Sequence, residues 1–145
     1  MKLLTEITNH ALHLAQEPNG NFVIQKVIAL ENPMIIDKIC INLEEKIVPL
    51  SKQKHGSHVI EKCLESSAVE FVVRKILKSN SVIPLARDQF GNYVIQKALE
   101  NLKSKRYELY MELVNALRKY PKLLLDYPNG RRVLKRIGEL EKSSP

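Results

Sequence analysis

Apolar residues along this chain fall into short stripes of helical period. After Gly20 they occupy the third, fourth, seventh and eighth following positions, as Val23, Ile24, Val27 and Ile28, which is one face of an α-helix at about 100° per residue. The same phase follows three other glycines. The segments NGNFVIQKVI, HGSHVIEKCL, FGNYVIQKAL and NGRRVLKRIG align on Gly20, Gly56, Gly91 and Gly130, spaced 36, 35 and 39 residues apart. Leu14, Leu50, Leu85 and Leu124 stand six positions before the glycine, and Val23, Val59, Val94 and Val133 three after it. Lys26, Lys62, Lys97 and Arg136 follow six after it, while Pro49 and Pro84 both stand seven before theirs. The turn sequences Pro18-Asn19-Gly20 and Pro128-Asn129-Gly130 mark helix starts. Further helical patterns fill the intervals: PMIIDKICINL from Pro33, AVEFVVRKIL around Phe71 and YELYMELVNALRKY from Tyr107. No stretch sustains the two-residue alternation of a half-buried strand. A repeat of this length, unable to bury its own stripe, predicts an all-α solenoid in which each unit stacks on its neighbours.

The repeated helix has a second face. Asn21, Phe22 and Gln25 share the quadrant opposite the apolar arc and are expected to point outward; Ser57, His58 and Glu61 follow in the next unit, then Asn92, Tyr93 and Gln96. Each unit thus presents a short polar group, a flat ring and a longer polar group. Core packing does not require a ring in that slot, but stacking on nucleobases does, at roughly 1–3 kcal/mol per base. An Asn–Gln pair offers amide donors and acceptors to match the acceptor, donor, acceptor edge of uracil. Glu61, acceptor-only when ionised, suits the N1–H and N2–H donors of guanine and repels the carbonyl oxygens of uracil. Lys26, Lys62 and Lys97 flank this face, where they are expected to meet phosphates.

The motifs GNFVIQK, GSHVIEKC and GNYVIQK resemble three successive repeats of the PUF (Pumilio-homology) family of RNA-binding proteins, and LRKYPKLLLDYPNGRRVLKRIGELE is similar to the helical cap that closes that family's C-terminus. The resemblance covers nearly the whole chain. It implies a right-handed solenoid of three-helix repeats forming one partial domain over 1–145, with repeats near 2–37, 38–73 and 74–111 and a cap near 112–142. It implies that Asn21 with Gln25 bind a uracil, Ser57 with Glu61 a guanine, and Asn92 with Gln96 a second uracil, with Phe22, His58 and Tyr93 stacking between bases. The ligand would then be single-stranded RNA containing UGU, typically in a messenger 3′ untranslated region, with its 5′ end toward the C-terminal cap. Regulation of translation or message stability follows from the same resemblance, with protein co-regulators on the convex face.

The chain departs from the family's usual eight repeats, and it begins at what resembles the first helix of a sixth. Leu3, Leu4, Ile7, Ala11 and Leu12 are accordingly expected near an uncovered edge, which implies a fragment of a longer protein, an unusual short member of the family, or self-association through that end. In the last unit Arg131, Arg132 and Lys135 replace the polar, ring, polar set, and phosphate contact or arginine stacking is their expected role.

Composition narrows the alternatives. A chain of 145 residues with 44% hydrophobic and 27% charged content suits one folded domain, without an apolar run of the roughly 18 residues a membrane span needs. MKLLTEITNHAL meets Glu6, Asn9 and His10 before any leader core could form, so the expectation is an intracellular, cytoplasmic protein. Of the net charge of +7, residues 103–145 carry +6, from eleven Lys/Arg against five Asp/Glu, which concentrates attraction for a polyanion in the C-terminal third. Cys40 and Cys63 sit among apolar neighbours and are expected as buried thiols. His10 with His13 and His55 with His58 have helical spacing but no third ligand, and no nucleophile elbow, phosphate loop or acidic metal cluster is present. No metal, no cofactor and no enzymatic activity are expected. Two other functions remain open: a protein-binding α-solenoid scaffold, and a structure-directed ribosomal-RNA binder of the PUF-like kind.

Overall fold

A computed structural model describes residues 2–143, and the described residues form α-helices joined by short turns, with no strand. The helices come in threes. The first unit is α1 (Lys2–Asn9), α2 (Ala11–Ala15) and α3 (Gly20–Ala29); the second is α4 (Pro33–Leu43), a 3-10 turn at Glu44–Lys46, α5 (Ile47–Ser51) and α6 (Gly56–Glu65). The third is α7 (Val69–Lys78), α8 (Val82–Arg87) and α9 (Gly91–Lys105), and the last is α10 (Tyr107–Arg118), α11 (Lys122–Leu125) and α12 (Pro128–Lys142). The last helices of the units stand side by side, α3 on α6, α6 on α9 and α9 on α12. On the other side α1 packs on α4 and α7 on α10, while α2, α5 and α8 each touch the first helix of the next unit. The result is an all-α solenoid.

Local chemistry sets the boundaries. The Asn32 side chain accepts from the Met34 and Ile35 amides at 3.0 and 3.2 Å, and Pro33 follows at the first helical position, so α4 starts there. Asp88 accepts from the Phe90 and Gly91 amides, both at 2.8 Å, at the entrance to α9. Glu31 and Asn80 take a left-handed φ of 55° just beyond α3 and α7, ending those helices.

The repeated glycine and the leucine six residues before it form one device. A Cβ at Gly91 would lie 2.6 Å from the Leu85 carbonyl oxygen, and one at Gly20 would lie 2.8 Å from that of Leu14. Only a missing side chain lets the start of each long third helix rest on the short helix before it. Leu50, Leu85 and Leu124, wholly buried, fill the angle between them.

The apolar stripes form one continuous core running through all four units. Its exception lies in the first described unit. Val59, Val94 and Val133 are 0% exposed, whereas the equivalent Val23 is 41% exposed, because this position packs against the preceding unit and none stands before Val23 among the described residues. The edge expected at Leu3, Leu4, Ile7, Ala11 and Leu12 is therefore redrawn. Ala11 is buried, and Leu4, Ile7 and Leu12 pack against the core; Leu3, Val23 and Leu30 carry the exposed apolar surface. Replacing Val59 with Ala should cost about 2 kcal/mol of stability through lost burial and a cavity. The same change at Val23 should stay within about 0.5 kcal/mol, and urea unfolding of the two variants checks the contrast.

Ion pairs tie successive units together: Lys97 to Glu65 at 3.3 Å, Arg136 to Glu100 at 3.1 Å and Lys75 to Glu44 at 3.4 Å. Each is partly exposed and individually worth little; their effect is to fix the register of neighbouring units.

Candidate nucleic-acid interface

The helices α3, α6, α9 and α12 turn one face of their row to solvent, and the three ring positions line it. Phe22 is 59% and Tyr93 47% exposed, and His58 is exposed between them. Exposed rings held in register on successive helices meet the stacking requirement directly.

The short polar residues do not point outward as expected. Asn21, Ser57 and Asn92 are 1%, 2% and 0% exposed. The reason is angular: Asn21 precedes Ile28 by seven residues, nearly two full turns, so it stands within about 20° of a core position. These residues look inward at the turn that starts each helix. The Asn21 amide nitrogen donates to the Glu17 and Pro18 carbonyls at 2.6 and 2.9 Å, and that of Asn92 donates to Asp88 and Gln89 at 2.8 and 3.0 Å. Ser57 does the same more weakly, its hydroxyl donating to Lys54 at 3.3 Å.

This burial sets the orientation of the reading groups. Carbonyl oxygens accept only, so each asparagine is fixed with its nitrogen toward the turn and its oxygen toward the next helical turn. There the Gln25 amide nitrogen donates to Asn21 Oδ1 at 3.0 Å, and that of Gln96 to Asn92 Oδ1 at 3.1 Å. Both glutamines, half-buried, are left with one N–H and Oε1 uncommitted by that bond. A donor beside an acceptor complements the N3–H and carbonyl of uracil.

Glu61 occupies the equivalent place in the middle unit without a matching bond from Ser57. Its carboxylate lies 3.7 Å from His58 Nδ1, the stacking residue of the same helix. Burial holds its pKa above the ordinary carboxylate range, against the opposing pull of His58 and Lys97 and with added repulsion from Glu65 and Glu100.

The cations six after each glycine divide into two groups. Lys62 and Lys97 both hold Glu65, at 3.5 and 3.3 Å, and Arg136 holds Glu100. Spacing from the glycine did reveal these cations; what it missed was that Glu65 and Glu100, nine after their own glycines, lie against the cation of the next unit. Lys26, Arg131, Arg132 and Lys135 are exposed and have no ion pair among the described residues. The Arg131 guanidinium donates to the Leu125 carbonyl at 2.8 Å, and that of Arg132 to the Tyr93 hydroxyl at 3.2 Å. Sequence reasoning also passed over Arg87, whose guanidinium lies 3.5 Å over the Tyr127 ring at the same end of the row. Conserving a helical pattern gave no signal for it, since the two residues are forty positions apart.

Cys40 and Cys63 are buried free thiols. His13 lies 3.5 Å from Glu17, and among the described residues no group of three or more His, Cys, Asp or Glu could hold a metal. No helix among them is long and apolar enough to cross a membrane.

A stack of three-helix units with an in-register ladder of rings and amides along one face defines a helical-repeat protein of the nucleic-acid-reading class. A sequence profile of the Pumilio-family RNA binding repeat matches residues 10–41, 46–77 and 81–113, and the chain belongs to that family. It is a family of RNA-binding proteins, not of enzymes. A Pumilio domain-containing protein of Schizosaccharomyces pombe is 34% identical over 99% of this chain and 21% of its own length. Pumilio homolog 12 of Arabidopsis thaliana is 34% identical over 91% of this chain and 22% of its own. The chain thus spans about a fifth of these relatives. Among solved structures, a Puf4 mutant bound to a Cox17 RNA 3′ UTR recognition sequence superposes with a TM-score of 0.82 at 28% identity, over 93% of this chain and 48% of that one. PUF-8 in complex with PBE-RNA gives 0.80 at 25% identity, over 95% and 41%.

Proposed function

We propose that this chain binds single-stranded RNA through a U-G-U core, one base per unit, as a regulator of messenger RNA translation or stability acting through 3′ untranslated regions in the cytoplasm. The observation that carries the reading is the ladder itself: three rings in register, each beside a longer polar group whose donor and acceptor pattern suits one base. Gln25 and Gln96, held by Asn21 and Asn92, each offer a uracil edge one donor and one acceptor. Ionised Glu61 offers acceptors alone, which suits guanine and penalises uracil. Relatives of similar fold bound to 3′ UTR sequences support the ligand class.

Phe22, His58 and Tyr93 supply stacking. Phosphate contact falls to Lys26, Arg131, Arg132 and Lys135, which have no ion pair among the described residues, with Lys62 and Lys97 joining only by giving up Glu65. Neutralising Arg131, Arg132 and Lys135 together should weaken binding to every sequence and flatten the dependence of affinity on salt by up to about three charges' worth of slope, at roughly 0.7 per phosphate contact for single strands. Titration across a salt series measures it.

Protein co-regulators would bind the opposite face, where Met34 and Ile41 of α4 are exposed, and the open edge at Val23 suits stacking of another unit of this kind. Base reading is tested by titrating labelled UGU-containing RNA against the same oligomer with cytosine in place of the guanine, at fixed moderate salt. A clear preference for UGU supports the assignment; equal or absent binding removes it and favours a protein-binding scaffold.

A further inference from the structure

We infer that a second copy of this chain stacks head to tail on the Val23 edge. Its last unit takes the place of a preceding unit, and, resting on the base-reading function proposed above, two rows of reading helices run on as one across tandem U-G-U elements. The two end faces are halves of the contact that joins units within the chain. Three residues after the glycine, Val59, Val94 and Val133 are wholly buried and Val23 is exposed. Four after it the loss falls at the other end: Ile24, Ile60 and Ile95 are wholly buried, and Leu134 only partly. Five before it, Ala15, Ser51 and Ala86 are wholly buried, while Leu125 is 49% exposed.

The reason lies in what each helix touches. α2, α5 and α8 pack on the first helix of the following unit, and α3, α6 and α9 on its third helix. Among the described residues α11 and α12 have neither. At the opposite end α1 carries Leu3, 69% exposed, and α3 carries Val23. Laid after α12, α1 and α3 of a second copy supply the first and third helices that cover every other unit. Gly138 stands eight after Gly130, where Ile28, Leu64 and Leu99 are buried in the other units. Nothing lies within 4 Å of a Cβ added there, so an entering helix meets no obstruction.

Charge points to a copy of this chain as the occupant. Within the chain, the cation six after one glycine reaches the glutamate nine after the glycine of the preceding unit: Lys97 holds Glu65 and Arg136 holds Glu100. Ala29 stands at that place before Lys62, which turns to Glu65 on its own helix at 3.5 Å. Two members of the series are left over, one at each end. Lys26 is exposed and has no ion pair among the described residues. Glu139, nine after Gly130, is half-exposed and meets Arg136 of its own helix at 3.2 Å. An in-register stack joins Lys26 of one copy to Glu139 of the other. Because the two faces differ, the contact does not pair back on itself, and copies add in series.

Sedimentation equilibrium of the full chain over a wide concentration range should give masses in multiples of 16.6 kDa. Val23→Glu and Leu125→Glu, both at positions exposed in the single chain, should each weaken association about tenfold or more by burying an unpaired charge. Lys26→Glu and Glu139→Lys should each weaken it about two- to fivefold, and the double variant should recover the wild-type value. The two residues lie at opposite ends of one row, so only contact between copies couples them. On RNA, the unit of α12 leaves one base between the two triplets. Two copies should therefore bind U-G-U-N-U-G-U cooperatively and the same elements on a longer spacer independently. Val23→Glu should lose the cooperativity and keep the preference for UGU over UCU. A single mass at every concentration, with independent binding at both spacings, would overturn the stack and leave the edge to a preceding unit or another partner. Association with charge-swap recovery but no preference for UGU would support the stack and overturn base reading.

Discussion

Glu61→Gln should bind RNA with its preference for guanine at the central base largely gone. The carboxylate offers two acceptors to the N1–H and N2–H donors of guanine and repels the oxygens of uracil; an amide offers one acceptor and adds a donor. Loss of a bidentate base contact is worth about 1–3 kcal/mol of discrimination, or roughly five- to 150-fold between bases. Affinity for U-G-U should fall by much of that factor while affinity for U-U-U rises. Stacking by His58 and the neighbouring rings is untouched, so overall binding persists. Competition titration of the two oligomers against wild type and variant reads both changes. Unchanged discrimination would place the guanine elsewhere.

The same residue carries a pH dependence whose sign follows from its environment. Burial raises the Glu61 pKa in the folded protein above its unfolded value. Between those two values the folded state binds more protons, so stability is lost as pH rises through the window and regained as it falls. Ionised Glu61 is thus a cost to the fold, and Glu61→Gln should be the more stable protein at neutral pH. Discrimination for guanine runs the other way, weakening as pH falls into that window and the carboxylate takes up a proton.

Gly91→Ala should lose about 3 kcal/mol of stability, at the upper end for a single added carbon. The obstacle is the Leu85 carbonyl oxygen, 2.6 Å from the new Cβ, and it is backbone, with no rotamer to move away. Separating the two would tilt α9 away from α8 and shift Asn92 and Tyr93, which begin that helix, so RNA affinity should fall together with the melting temperature. Gly138 is the internal control. It lies within α12 with nothing within 4 Å of a new Cβ, and Gly138→Ala should gain roughly 0.5–1 kcal/mol through helix propensity alone. Thermal unfolding of both variants distinguishes a required close approach from a glycine that merely weakens its helix.

The repeat, the helices and the ring ladder were legible in the sequence for a physical reason. Local periodicity and turn chemistry act over a few residues: the stripe after each glycine, Asn32-Pro33 before α4 and Pro18-Asn19-Gly20 before α3 all speak through their neighbours. The alternating identities of Gln25, Glu61 and Gln96 were equally plain, because their helical angle puts them clear of the core. What only the tertiary structure decided concerns contacts between units and between turns. Asn21 and Asn92 donate into the preceding turn and hold the glutamines, a role their helical angle alone does not show. Val23 is exposed and Val59 is not because only one has a unit before it. Lys97 is committed to Glu65 and, among the described residues, Lys135 to no carboxylate. Arg87, Tyr127 and Arg132 meet at the end of the row. The contacts between units join residues some thirty to forty positions apart, and their separation in space is set by how units stack, a quantity no local pattern contains.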